Sequence, residues 1–526
     1  MGLLSFLIFW PALVGVLLLV WRDDRPTRIG WAAACGAAVE LIASLWLWFG
    51  FVPGAGFQFV ESVPWIPRFG IAYQVGIDGI SLLLVLLTCL LTLIGVVSSL
   101  SAIQNGRRGY YASLLFLETG IIGAFCATDV FLFYIFWEAM LVPMYFLIGV
   151  WGGERRIYAT IKFVLYTMAG SLLMLVAILW MYNFGSVSGH ATFNLFDWYK
   201  FEVPASTQVW LFAAFALAFA IKVPMFPFHT WLPDAHVQAP AAGSVMLAGV
   251  LLKLGTYGFL RFAVPLFPSG FAALSDLLWV LAVIGIVYGA AMTLIQTDMK
   301  SLIAYSSVSH LGFVILGMMA LNLVGLSGSL LQQVNHGIST GALFLLVGMI
   351  YERRHTRQIA DYGGLFATVP VFTIGFLIVA LSSIGLPGTN GFVGEFLILL
   401  GSFQARPVLA ILSTTAVILA AAYMLWLVLR VFYGPVVHAE NESIPDLGKR
   451  ELATLVPLVV LIVWIGVYPR PFLDRITPDL QNWLGQARRV ELIQHPSENC
   501  GTLVQAADSL AGRTRNGPVP PMEGGR

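Results

Sequence analysis

Residues 220–233 read Ala220-Ile-Lys-Val-Pro-Met-Phe-Pro-Phe-His-Thr-Trp-Leu-Pro233 and close a long apolar run. Proline lacks an amide donor and clashes with the preceding turn, so Pro224, Pro227 and Pro233 cannot all belong to one regular helix. Unwound backbone within a membrane survives only where it is buried in protein or lines a wet cavity. The stretch therefore predicts a membrane helix broken in mid-course, with Lys222 at the break. Residues 385–391, Gly385-Leu-Pro-Gly-Thr-Asn-Gly391, interrupt a second apolar run, with Glu395 just beyond. Two broken spans at equivalent places in two halves are the mark of a transport path between inverted repeats.

Composition agrees. Hydrophobic residues make up 59% of the 526 residues and charged ones 10%, against roughly 25% charged in soluble domains. Apolar runs of about 20 residues, enough to cover a ~30 Å hydrocarbon layer, recur from end to end. They begin near Leu3, Gly30, Ile80, Tyr111, Val130, Thr160, Val209, Ala241, Leu274, Ser301, Ser329, Val371, Val408 and Leu452. This predicts an all-α polytopic membrane protein of about fourteen transmembrane helices, with spans 7 and 12 discontinuous. The two breaks are five spans apart. They fit inverted five-helix repeats over spans 4–8 (residues 111–262) and 9–13 (273–433). Spans 1–3 (1–110) precede them; a loop with span 14 (434–470) and a C-terminal tail (471–526) follow. The last dozen residues, rich in Gly and Pro, read as disordered. Leu3 to Val20 lacks a positive n-region and a cleavage site, so it reads as a retained first span.

A net charge of +1 offers no basic face for nucleic acid. Cys35, Cys89, Cys126 and Cys500 are scattered, without the spacing of a zinc or iron–sulfur site or a disulfide framework. Basic residues are denser in the loops after odd-numbered spans: Arg22, Arg25 and Arg28; Arg107 and Arg108; Arg155 and Arg156; Lys300; Arg353, Arg354 and Arg357; Arg430, Lys449 and Arg450. The other loops hold few, among them Arg68, Lys200, Arg261 and Arg406. The positive-inside rule then puts both termini outside. The arginines of the C-terminal tail (Arg470, Arg475, Arg488, Arg489, Arg513, Arg515) run against the bias, but a long terminal segment weighs less in it.

An ionisable side chain at bilayer depth costs between ~2.5 and 17 kcal/mol, so it is usually there to act. Lys253, among Leu251, Leu252 and Leu254, is too central to snorkel. Glu138 lies mid-depth in span 5 and is a candidate partner for Lys222; the bland alternative is a protonated, structural acid. His310 and His336 fall inside spans 10 and 11 among Ser, Gln and Asn. Each alone can be a satisfied core histidine, yet with waters they can link Lys253 to Glu395, because imidazole accepts on one nitrogen and donates from the other. Glu395 also suits a helix N-terminus. Glu118 and Lys162 are further ionisable groups within spans 4 and 6. Asp78 and Asp129 read as caps. His229, Asp234 and His236 have a spacing that permits a metal, but too few ligands accompany them.

The block from Lys222 to Pro240, with Gly-Val-Leu-Leu-Lys253-Leu-Gly-Thr-Tyr-Gly-Phe-Leu-Arg261, resembles the antiporter-like membrane subunits of respiratory complex I. Phe136-Trp-Glu138 with Pro143, and Gly385 through Glu395, resemble the same family; the likeness runs over spans 3 to 13. An unbroken Lys-Val-Pro-Met-Phe-Pro after Lys222 and an acid in span 12 are similar to the M-type branch rather than the L or N types. The resemblance implies proton translocation linked to NADH:quinone electron transfer in other subunits. It implies a Glu138–Lys222 ion pair, Lys253 as the central relay, His310 and His336 continuing it, and Glu395 on the exit side. It also implies L- and N-type neighbours in a bacterial inner membrane, with FMN, iron–sulfur clusters and quinone held by partners. Within this chain no Gly-x-Gly-x-x-Gly after a strand and no cysteine cluster suggests a cofactor or metal site. The alternative is a subunit of a multi-subunit (Mrp-like) cation/proton antiporter or a membrane-bound hydrogenase, relatives that diverge near Val237 to Pro240 and at span 12.

Overall fold

The computed structural model describes residues 2–22 and 25–494. Cys500, Arg513, Arg515 and the Gly- and Pro-rich end expected to be disordered lie outside the described residues, as do the side chains of Arg488 and Arg489. Among the described residues, 13 helices are long and apolar enough to cross a membrane. Spans 1 to 11 are Leu3–Val20, Thr27–Gly50, Leu82–Ala102, Arg107–Cys126, Val130–Trp151, Arg156–Val187, Ala205–Lys222, Ala241–Leu266, Pro268–Leu294, Met299–Met319 and Leu323–Arg354. Spans 13 and 14 are Pro407–Phe432 and Lys449–Val467. Span 12 consists of two shorter helices, Pro370–Ile384 and Asn390–Ala405, and completes the set that the apolar runs predict.

Local chemistry sets the helix starts. Asp129, Asp298 and Asn322 cap spans 5, 10 and 11 by accepting N–H groups of the first turn. Prolines open spans 9, 12 and 13, where the missing donor costs nothing. Asp78 accepts from the Ile80 and Ser81 amides and also pairs with Arg261 at 2.5 Å.

Both breaks are satisfied from within. Span 7 stops at Lys222 and resumes as the helix Trp231–Gln238. The Trp231 indole donates to the Ile221 carbonyl at 2.9 Å, and the Met225 amide to Ala220 at 2.8 Å. In span 12, Gly385 ends the first half-helix at φ +81°, and the Leu386 amide turns back to Leu381 at 3.0 Å. Span 11 supplies the rest. Asn335 donates to the Asn390 carbonyl at 2.7 Å, and Ser339 lies 2.6 Å from Ser382. A span packed against lipid could not replace these partners.

Three elements depart from the apolar-run reading. First, the chain is not purely helical: Gln58–Ile66 (β1) and Ile71–Ile77 (β2) form an antiparallel hairpin between spans 2 and 3, with Ser62 opposite Gln74. Strands of that length fall below the ~20 residues by which a span is recognised. Glu61 of β1 accepts from the Leu4 amide at 2.8 Å and the Ser5 amide at 3.1 Å, tying down the start of span 1. Second, Arg470–Gln494, read as tail, is a helix. Phe472, Ile476, Leu480, Trp483 and Leu484 recur at helical spacing and are buried. Trp483 donates to the Leu260 carbonyl at 2.8 Å, and Asp479 accepts from the Gly79 amide at 2.7 Å, so this helix straps span 8 to the start of span 3. Third, span 8 is not regular. Leu247–Leu251 and Phe259–Ala263 are π-helical, on either side of the turn that begins at Lys253.

Candidate functional site

Span 8 and its irregularity place the central lysine. In the first π turn the Leu252 amide reaches back five residues to Leu247 at 3.3 Å instead of four to Ala248. The Ala248 carbonyl accepts from the Lys253 ammonium. Single π turns of this kind are frequent at functional positions. Spans 8 and 11 meet through glycines: a methyl group on Gly337 would stand 2.7 Å from the Gly249 carbonyl oxygen. Small residues let helix backbones approach closely in a bilayer, and here the approach carries Lys253 Nζ to 2.7 Å from His336 Nδ1.

From Lys253 the polar contacts run on without a gap larger than a ring pair. The His336 and His310 rings are 5.9 Å apart, centre to centre. His310 Nδ1 is 2.9 Å from Glu395 Oε1, and Gln332 Nε2 donates to the same oxygen at 3.1 Å. His310, His336, Gln332, Asn335, Ser339 and Ser383 border one small cavity. Lys253, His336, His310 and Glu395 are all buried. One lysine, two imidazoles and one carboxylate, contributed by spans 8, 11, 10 and 12, thus form one file in the protein interior. The structure brings together four of the six residues singled out in the sequence.

The other two are neighbours that do not touch. Glu138 Oε1 and Lys222 Nζ are both buried without a hydrogen-bond partner, so the direct ion pair that the resemblance implies is not formed. Glu138 is the charge that acts on Lys222 through space. The ammonium instead stands 5.0 Å from the Trp137 ring centre and 6.0 Å from that of Phe163. A desolvated cation held over an indole gains about 2 kcal/mol from the ring's quadrupole. Span 5 is interrupted for one residue at Met140, between Glu138 and Pro143, and Glu138 lies in the last turn of its first half, Val130–Ala139.

The remaining titratable groups sort by contact. Lys162 pairs with Asp234 at 2.7 Å, tying span 6 to the helix after the span 7 break. That contact takes Asp234 from the His229–Asp234–His236 trio. His236 is buried, stacks on Phe344 at 4.4 Å, and has neither ring nitrogen partnered. Lys300 and Lys253 are the charges that act on it. Lys300 is no solvated loop cation: it is buried and donates to the Ala239 carbonyl at 2.7 Å. Its place after the ninth apolar run put it in a loop in the sequence. The fold of the span 7 break against span 10, which no local pattern records, buries it. Glu118 meets Glu40 and Cys89; their ligand atoms lie within 4.8 Å of one another, all buried. Glu40 is the one acid inside span 2, and that position was the signal for it.

Residues 127–420 match the family described as "NADH:quinone oxidoreductase/Mrp antiporter, TM". The chain is 45% identical over 518 residues to the NADH-quinone oxidoreductase subunit M of Rhodobacter capsulatus, covering 96% of this chain and 99% of that one. It is 42% identical over 481 residues to NADH-ubiquinone oxidoreductase chain 4 of Marchantia polymorpha, covering 91% and 96%. A chain of respiratory complex I from Thermus thermophilus superposes with a TM-score of 0.83 at 34% identity over 91% of this chain and 99% of that chain. A chain of the Mrp complex from Dietzia sp. matches the fold with a TM-score of 0.80 at 22% identity, covering 92% and 98%. Identity across nearly the whole length, rather than the fold that both groups share, sets the branch: this chain belongs to the antiporter-like membrane subunits of respiratory complex I, in the subunit M group.

Proposed function

We propose that this chain moves protons across the membrane along Glu138, Lys222, Lys253, His336, His310 and Glu395 as a subunit of NADH:quinone oxidoreductase. The Lys253–His336–His310–Glu395 file carries the reading: such a row can pass a proton stepwise by imidazole tautomer exchange. Glu138 and Lys222 form the switch. When they close on each other the lysine holds its proton; when they part, as here, the carboxylate's attraction falls and the proton is driven toward Lys253. His236, unpartnered and under the influence of Lys253, is suited to bridge the span 7 break and the central lysine.

Electrons, in this reading, never enter the chain. FMN, iron–sulfur clusters and quinone belong to partner subunits, so the chain acts as the proton-translocating part of an enzyme whose redox chemistry lies elsewhere. L- and N-type subunits flank it in a bacterial inner membrane. Both termini face outward, and spans 4–8 and 9–13 are the two inverted repeats. The antiporter alternative rests on a shared fold at 22% identity. Purification of the tagged chain from native membranes separates the two: it is expected to bring NADH:quinone oxidoreductase activity with bound flavin. Recovery with small antiporter subunits and no flavin would overturn the assignment.

Two further results follow from packing. Gly337→Ala places a methyl 2.7 Å from the Gly249 carbonyl and forces spans 8 and 11 apart. Proton transfer falls steeply with separation of the Lys253–His336 pair, so pumping per electron is expected to drop severalfold in reconstituted vesicles while the complex still assembles. Gly385→Ala meets two obstacles. The site has φ +81°, which disfavours any side chain, and the methyl would stand 3.1 Å from Glu395 Oε2. Left-handed strain costs about 1–2 kcal/mol. The variant is expected to lower the thermal stability of the isolated complex and to slow proton release, read as slower acidification of the medium after a quinone pulse.

A further inference from the structure

An apolar groove of about 400 Å³ runs between spans 2, 3, 11 and 14, within the size range of small-molecule sites. Leu45, Leu86, Leu90, Ile338 and Leu461 are among its walls, and it offers almost no polar surface. At one end the rings of Trp48, Phe472 and Trp464 form a rim, with Phe472 centred 5.5 Å from Trp48 and 5.3 Å from Trp464. Tryptophans gather where hydrocarbon meets headgroups, which sets that end at the membrane surface. Arg475 lies on the rim. Its guanidinium stacks 3.6 Å over Trp48 and donates to the Pro471 carbonyl at 2.8 Å and the Trp48 carbonyl at 3.4 Å.

The rim cation has no counter-charge in contact with it; the adjacent Asp474 acts on it only through space. Arg475 forms no ion pair among the described residues, and its Nε is without a partner. The adjacent Asp474 is taken by Arg470 at 3.3 Å. A guanidinium has five N–H donors and two are committed here. What remains is a fixed positive fork, matched in geometry to a phosphate, at the mouth of a hydrocarbon-lined slot. We propose that the groove is a binding site for an anionic phospholipid, with one acyl chain between spans 2, 3, 11 and 14 and the headgroup phosphate on Arg475. Bound there, the lipid joins the C-terminal helix to spans 2 and 3, since Arg475 comes from the former and Trp48 from span 2.

The test uses the intact complex in nanodiscs of phosphatidylcholine containing a trace of phosphatidylglycerol with a diazirine on its acyl chain. After photolysis the label is expected in peptides that contain Leu41 to Phe49 and Leu461 to Ile465. Unlabelled phosphatidylglycerol should compete at least about tenfold better than phosphatidylcholine, equivalent to ~1.4 kcal/mol. Arg475→Gln should weaken labelling about tenfold, the scale of one charge-assisted contact, while Arg475→Lys keeps most of it. Leu45→Trp should fill the slot and remove the label with the rim intact. Equal competition by phosphatidylcholine, or unchanged labelling of Arg475→Gln, would overturn the proposal. So would equal loss in the Lys and Gln variants, which would make Arg475 only a tether for its helix, or displacement by a quinone as effective as by phosphatidylglycerol. Because the readout is labelling, the result stands apart from whether the proton file pumps.

Discussion

Replacing Lys253 by alanine is expected to abolish proton pumping and leave the complex assembled. Among the described residues the Lys253 ammonium hydrogen-bonds to the Ala248 carbonyl and His336 Nδ1, both inside the protein. Its loss leaves two buried polar groups short of a partner, at about 1–3 kcal/mol each. That is small beside the burial holding span 8, whose core window is wholly buried. The proton file, by contrast, loses the member that hands the proton to His336. Lys253→Arg sharpens the test. Arginine keeps the positive charge and the contact but does not release its proton in a protein. It is therefore expected to pump no better than alanine. Proton uptake per electron in reconstituted vesicles reads both variants. Normal pumping by Lys253→Ala removes Lys253 from the route, and normal pumping by Lys253→Arg shows that charge alone suffices there.

Glu138→Gln is the second large effect, and it should depend on membrane potential. Moving one charge through 100 mV costs about 2.3 kcal/mol, so a potential of roughly 200 mV asks for about 4–5 kcal/mol per proton. In the proposed switch that work enters as the attraction between Glu138 and Lys222 is made and broken. Glutamine keeps the shape and removes the charge. Pumping is therefore expected to fail against a full potential, by at least about tenfold, a factor that needs only ~1.4 kcal/mol. It is expected to return in part when valinomycin and potassium collapse the potential, because the file from Lys253 to Glu395 remains. The Glu138 carboxyl has one buried oxygen without a partner, so the amide does not break a hydrogen bond there. Pumping equal to the unmodified complex at full potential would eliminate the switch.

What the residues announce in one dimension, the fold confirms where the signal is local. Length of apolar run marks the spans, because the bilayer thickness is fixed. Proline and glycine mark the two breaks, because they lack a donor or admit positive φ. Asp129 was legible as a cap for the same reason: the partners are two or three residues away. Glu138, Lys222, Lys253, His310, His336 and Glu395 stood out because charge and polarity in hydrocarbon are costly.

Contacts between distant segments are another matter. Lys253 meets His336, 83 residues on, and His310 meets Glu395, 85 residues on, only because glycines and a π turn set the distance between helices. The same tertiary packing leaves Glu138 and Lys222 apart, buries Lys300, joins Glu40 to Glu118 and folds the C-terminal segment onto span 8. The sequence by itself determined how many times the chain crosses, where it breaks and which side chains are too expensive to be idle, since each of these depends on neighbours along the chain. The tertiary structure alone decided which of those side chains are within reach of a shared proton, since that depends on tenths of an ångström between helices.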